Sequence, residues 1–393
     1  MDRTILISIL ALVRACHECY IGIVFAVFLL TSAQAAETTA LYSLDEGFAR
    51  GAVTARMELF NKTDQQHVLS VIGDINPGVI LGTNVTIWGV IRQMDIESAG
   101  HLATELRQKL PRTLLASGVN ESISLTKYPP QTLECGGSIG RRTFAPADLT
   151  DPHQRLLGDT AWIDMAAQDA HDYYLCIGTI LIDQGFTILG FPEHENLIAH
   201  ASDKPKAIGN LVDVFRTLRR YAASKGKQIY FLGDPATDET VSDIDICYMP
   251  ARFFHTSFAQ EYQNKIIRPN VGVGYSYSLS PKRVRDAMTA APRGKHVVFY
   301  VDNWDSKQDD LRRFMELDGN NRRYLLTTSL QTARRGGAYF SFNLLHCAGC
   351  IAPDVVGDKC EIRSDGKTEY DAVNCGDIPA IKQAIQAQQE LKR

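Results

Sequence analysis

Residues 173–195 read YYLCIGTILIDQGFTILGFPEHE, and this stretch decides the fold. Trp162, Met165, Ala166, Tyr173, Ile177, Ile180 and Leu181 recur at helical spacing up to a stop at Gly185. Thr187–Phe191 (TILGF) then forms an unbroken apolar run, with Pro192, Glu193, His194 and Glu195 directly after it. Apolar residues every three to four positions turn one face of a helix toward a core, whereas a short continuous apolar run suits a strand buried on both faces. Helix, glycine, apolar strand and polar turn together make the repeating unit of a parallel α/β sheet.

The unit recurs in both directions. Ile208, Leu211, Val212, Phe215, Leu218 and Ala222 mark a second helix. Arg216, Arg219, Arg220 and Lys225 crowd its C-terminal half, where the dipole favours cations, and Gly226 stops it. Ser280-Pro281 suits the start of a third helix, running to Ala290. The candidate strands are Val79–Gly82, Thr113–Val119, Thr187–Phe191, Gln228–Gly233, Ile244–Met249, Val271–Tyr277, His296–Val301 and Ala338–Leu344. His67–Ile72 (HVLSVI) reads as a further strand in the lead-in.

Eight such runs predict a (β/α)8 TIM-like barrel of about 270 residues. The division expected is a signal segment over 1–35, a lead-in over 36–75, the barrel over 76–346 and a Cys-containing C-terminal extension over 347–393. The link from Gly233 to Ile244 is short for a crossover helix. The link from Val119 to Thr187 is long and must hold an inserted segment that includes Glu134-Cys135-Gly136-Gly137. A doubly wound open sheet is the competing architecture. No G-x-G-x-x-G and no G-x-x-x-x-G-K-[ST] comes after any strand, so nucleotide folds lack their signature and no cofactor is expected.

The N-terminus reads as a targeting segment. Tyr20–Leu30 (YIGIVFAVFLL) is an apolar run of export-signal length, and Ala33-Gln34-Ala35 offers the small-x-small pattern for cleavage after Ala35. The competing reading is an N-terminal anchor, for which the run is short against the ~20 residues of a membrane span. Export with cleavage gives a secreted or periplasmic protein with no membrane association. Over the whole chain of 393 residues, 41 basic and 45 acidic side chains leave a net charge of −4. That balance provides no excess of cations to meet phosphates, so nucleic acid is not an expected partner.

Four cysteines fall late, in the pattern C-x2-C-x9-C-x14-C formed by Cys347, Cys350, Cys360 and Cys375. Four thiolates could hold zinc, but an oxidising compartment favours two disulfides, with the pairing open. Cys135 stands alone beside Glu134, while Cys176 and Cys247 read as small buried hydrophobes.

The chemistry is carried by the residues just past the strands. In a barrel the functional groups sit at the C-terminal ends of the staves. Glu121 comes after Thr113–Val119, Glu193 after Thr187–Phe191, Asp234 after Gln228–Gly233, Asp302 after His296–Val301, and His346 after Ala338–Leu344. Asp is also a common helix cap, which gives each acid a structural competitor. Glu193 and Asp302 lead as an acid/base pair, with Asp234 as a third catalytic candidate. Glu121, Tyr248, Tyr275, Trp304 and His346 are candidate substrate ligands, with Tyr277 nearby. Paired carboxylates flanking a glycosidic bond are the machinery of glycoside hydrolysis.

With its signal segment, its strand rhythm and the Thr187–Glu195 and His296–Asp305 segments, the chain resembles secreted bacterial TIM-barrel proteins of the glycoside-hydrolase-like type over about 200 residues. The resemblance implies a carbohydrate partner and no cofactor. The Asn-Glu-Pro triplet that many barrel glycosidases carry ahead of their acid is not present. Two other readings stand beside it: a non-catalytic polysaccharide-binding or surface-assembly barrel, and a metal-dependent hydrolase using His194, His346 and nearby acids. No H-x-H or H-E-x-x-H occurs, so a metal is not expected.

Overall fold

Eight parallel strands close into a ring. The structure, a computed structural model, describes residues 40–393 apart from 56–61, 83–92, 120, 127–128, 158, 192–193, 234–238, 252–278, 302–310, 312–313, 316, 348–360, 365–366, 374 and 391–393. The staves are β1 (Ala52–Ala55), β2 (Val79–Leu81), β3 (Leu114–Gly118), β4 (Ile188–Phe191), β5 (Tyr230–Gly233), β6 (Ile246–Pro250), β7 (His296–Tyr300) and β8 (Tyr339–Cys347). Each pairs in parallel with its neighbour, and β8 pairs with β1 through Ala52↔Ser341 and Thr54↔Asn343. Carried round the ring, the register of Ala52 returns at position 44, eight residues out of step. Eight strands with a shear of eight define the (β/α)8 TIM barrel.

Helices cover the outside. Lys62–Ile75, Gln93–Lys109, Gln168–Asp183, Lys204–Ser224, Pro281–Ala290, Gly319–Arg335 and Ile378–Glu390 separate the staves or come after the last of them. Only a 3-10 turn, Glu239–Ser242, is described between β5 and β6, which is why that link is short. Outward side chains meet the helices in an aromatic core. Phe215 packs on Phe191 of β4 and Phe231 of β5 with centroids 4.9 and 4.6 Å apart. Asp203 caps the N-terminus of Phe215's helix, and Gly226 (φ +67°) lies just past its end in a left-handed turn.

Several expectations are corrected. The barrel begins at Ala52–Ala55, inside the expected lead-in; four small, fully buried residues carry too little apolar signal to stand out. His67–Ile72 lies within the helix Lys62–Ile75, where Leu69, Ile72 and Ile75 are buried at a spacing of three. Helical periodicity outweighs the β-branched content there. Val271–Tyr277 lies outside the described residues; the staves before and after it in the chain, β6 and β7, pair directly from Ile246↔His296 to Pro250↔Tyr300. Trp162 belongs to the strand Thr160–Ile163 of the insertion after β3, not to the helix beyond it. That insertion holds a three-stranded sheet and the hairpin Gln131–Glu134/Arg141–Phe144.

Cysteine chemistry is redistributed as well. Cys135 and Cys176 form a disulfide with Cα atoms 4.7 Å apart, so neither is a lone or merely apolar cysteine. The bond fastens the inserted hairpin to the helix Gln168–Asp183, as do Arg142 to Asp169 and Asp172 and the Gly136 amide to Thr179 Oγ1. Of the four late cysteines, Cys350 and Cys360 lie outside the described residues and Cys347 is described only as backbone in β8. Cys375 precedes the last helix, and its carbonyl accepts from Arg322 Nη2. The expected extension therefore contains the eighth barrel helix, preceded by a hairpin, Glu361–Ser364/Lys367–Asp371, that pairs with the upper part of β8.

Candidate functional site

Side chains inside the barrel alternate along each stave. Ala52, Ala116, Leu232 and Val298, from alternate staves, form one apolar layer over Val79, Ile188 and Ile246. At the N-terminal end the helix Leu44–Ala49 plugs the ring, with Phe48 stacked on Tyr339 and His296 at 4.8 and 5.6 Å. Asp45 meets His296 Nε2 at 3.0 Å. Toward the C-terminal end the lining changes character. There the inward positions include Thr54 (β1), Leu81 (β2), Gly118 (β3), Gly190 (β4), Tyr248 (β6), Tyr300 (β7), and Ser341 and Asn343 (β8).

Tyr248 and Tyr300 are half-buried, so solvent reaches the barrel interior at their level. Their rings stack at 3.9 Å and 8°. Gly118 and Gly190 are register partners on the opposite side of the ring, and the missing side chains there make room for the two large rings. The wall contributed by β8 and β1 is polar. Thr54 Oγ1 and Ser341 Oγ lie 2.8 Å apart, and Thr54 Oγ1 lies 3.4 Å from the Tyr248 hydroxyl. Asn343 is 3% exposed; its Nδ2 donates to Val301 O at 3.2 Å, and its Oδ1 has no hydrogen-bond partner among the described residues.

Among the expected site residues, the structure brings Tyr248 into this mouth. Glu121 is half-buried just past β3, and its carbonyl accepts from Ile163 N. Burial foremost, and then the charge of Glu121, push the buried Tyr174 phenol well above its ordinary range. Glu193, Asp234, Asp302, Tyr275, Tyr277 and Trp304 lie outside the described residues. His346 is described as a backbone position of β8 in register with Tyr370. His194 is fully buried and packs against the end of β5, where a Cβ on Gly233 would come within 2.7 Å of its Nδ1. Among the described residues no group of three or more His, Cys, Asp or Glu is arranged to hold a metal ion.

Thr54, Tyr300, Ser341 and Asn343 escape the sequence reading. Tyr300 carried a usable signal, since it continues the inward alternation His296, Val298 of its strand. Thr54 carried none, because its four-residue strand was itself unrecognised.

No family model matches the chain, and no curated protein matches it. Among solved structures it is similar to an α-galactosidase from Lactobacillus brevis, at 6% identity and a TM-score of 0.46, over 86% of this chain and 40% of that one. It is similar to a β-L-arabinopyranosidase from Geobacillus stearothermophilus, at 8% identity and a TM-score of 0.42, over 86% and 74%. A third likeness is to a maltogenic α-amylase from Thermotoga neapolitana, at 11% identity and a TM-score of 0.40, over 70% of this chain. The chain spans 61% of the length of that amylase.

Proposed function

We propose that this chain is an exported glycoside hydrolase that cleaves a carbohydrate at the C-terminal mouth of its barrel through paired carboxylates. The observation that carries the reading is the closed ring itself. In chain order Glu193, Asp234 and Asp302 come within two residues of the ends of β4, β5 and β7, on the rim where barrel enzymes hold their chemistry. The alternation in β5 turns Tyr230 and Leu232 inward, so this stave contributes to the barrel interior up to its last described residues. Glu193 and Asp302 are the preferred acid and nucleophile or base, with Asp234 as the third candidate. Half-buried tyrosines and hydroxyls along the inner wall of the barrel suit a sugar ring, which needs stacking and hydrogen bonds rather than charge.

Export is supported by the Cys135–Cys176 disulfide, since such bonds persist in oxidising compartments. Sequencing the N-terminus of protein recovered outside the cytoplasm checks cleavage after Ala35. The enzymatic reading is tested on a panel of aryl glycosides and oligosaccharides with the wild type, Asp234→Asn, Asp302→Asn and Glu193→Gln. Loss of hydrolysis by two to four orders of magnitude in Glu193→Gln and Asp302→Asn is expected, as for removal of an essential general acid or base. Equal turnover in all four proteins, or none in any, removes it.

A further inference from the structure

The polar wall of the mouth contains an acceptor that no described residue uses. Asn343 sits on the inward side of β8, in register with Thr54, and its amide nitrogen is committed to Val301 O on the neighbouring stave. That bond fixes which amide atom is the oxygen, because a carbonyl can only accept. Oδ1 then remains buried without a donor among the described residues, a state that costs free energy until a donor arrives. The nearest hydroxyl on the register partner, Thr54 Oγ1, is already engaged with Ser341. Deeper along the inner wall are the half-buried Tyr248 and Tyr300, and below them the layer of Ala52, Ala116, Leu232 and Val298 shuts the barrel.

We infer that Asn343 Oδ1 receives a hydroxyl of a single terminal sugar ring, which enters the barrel mouth end-on and rests against the Tyr248–Tyr300 pair. The inference rests on the carbohydrate reading and adds two things to it: a specificity-determining residue and a chain end as substrate. A ring that reaches this wall stands in a dead end, so it cannot be an internal unit of a chain running across the rim. A buried water would also satisfy Oδ1, but it would give the site no preference among sugar hydroxyls. A ligand hydroxyl makes the preference sharp, because removing it leaves the amide oxygen unpaired in the complex.

The test is calorimetric titration of the full chain with free D-galactose, D-glucose, D-mannose and L-arabinose, then with the monodeoxy analogues of whichever sugar binds. One analogue is expected to lose at least tenfold in affinity against the wild type. Asn343→Leu is expected to lose the same factor toward the parent sugar and to be indifferent to that one deoxygenation. The deoxy series on the wild type stands alone if the variant does not fold. Deoxy analogues that all bind within threefold of the parent overturn the inference, as does a folded Asn343→Leu protein with wild-type affinity. Hydrolysis of internal bonds in oligosaccharides with no monosaccharide bound overturns it too, while leaving the glycosidase reading intact. Sugar binding without any hydrolysis does the reverse.

Discussion

The ring of Tyr248 lies on that of Tyr300 with centroids 3.9 Å apart, and both belong to the inner wall of neighbouring staves. The pair turns an aromatic surface toward the open end of the barrel. An offset aromatic contact adds about 0.5–1.5 kcal/mol beyond the area it buries, so losing one face costs a sugar up to about tenfold in affinity. Tyr300→Leu is therefore expected to weaken sugar binding by about tenfold. Tyr248→Phe keeps the ring and gives up the hydroxyl with its long contact to Thr54, and should bind within about threefold of wild type. Titration of both variants checks the order; a larger loss for Tyr248→Phe would mean that hydroxyls and not ring faces dominate.

The disulfide between Cys135 and Cys176 closes 41 residues of sequence, most of the insertion after β3. Chain-entropy reasoning gives a loop of that size about 4 kcal/mol, and measured values run at about 2–4. The Cys135→Ala, Cys176→Ala double variant should lose stability in that range by urea unfolding under non-reducing conditions. Peptide mapping of unreduced protein should recover residues 135 and 176 in one cross-linked fragment. The barrel staves β4 and β5 do not depend on the bond, so far-UV circular dichroism should change little.

Much of the barrel is legible in the sequence because seven of its staves are apolar runs between helices with clear stop signals. Thr187–Phe191 and His296–Val301 are read nearly to the residue. The eighth, Ala52–Ala55, is four small side chains, and the apolar Val271–Tyr277 competes for its place. What separates the two is pairing: β6 bonds directly to β7, and a ring that must close at Ala52↔Ser341 leaves no other vacancy. Closure is a long-range property that local hydrophobicity does not contain. The same holds for Cys135 and Cys176, which become neighbours only once the insertion folds back on its helix. Within the mouth, alternation along a strand could have found Tyr300 and Asn343, but only after their strands were known to be staves.

Arg322 and Asp377 form a buried pair, with Nε 2.9 Å from Oδ2 and the Tyr370 hydroxyl donating to the same oxygen at 2.9 Å. Removing one partner strands a buried charge, so Asp377→Ala should cost about 3–5 kcal/mol at neutral pH. Burial pushes the Asp377 carboxyl above its ordinary range, with Arg322 and Tyr370 pulling it partly back. A carboxyl raised on folding favours the protonated folded state. Its contribution is present below the unfolded value of about 3.9 and is lost as pH rises through the folded value. The stability of wild type relative to Asp377→Asn should therefore fall as pH rises above about 4. A relative stability that rises over this range would show that the guanidinium outweighs burial.

The plug at the bottom of the barrel depends on two glycines packed backbone to backbone. A Cβ on Gly78 would overlap the carbonyl oxygen of Gly47 and come within 2.7 Å of its Cα. No side-chain rotation relieves that contact, because both partners are main chain. Gly78 also holds its neighbours in place, its amide donating to Gly51 O at 3.0 Å. Gly78→Ala must push the helix Leu44–Ala49 away from the ring, and is expected to cost about 1–3 kcal/mol, the usual penalty of overpacking. Gly73, five residues earlier on the helix Lys62–Ile75, has no described atom within 4 Å of a Cβ position. Gly73→Ala should raise stability by about 0.5–1 kcal/mol through helix propensity alone. Measured together by urea unfolding, the two substitutions must move in opposite directions. Hydrogen exchange should show faster exchange in residues 44–49 for Gly78→Ala only. Equal protection there in both variants would remove the glycine contact as the support of the plug.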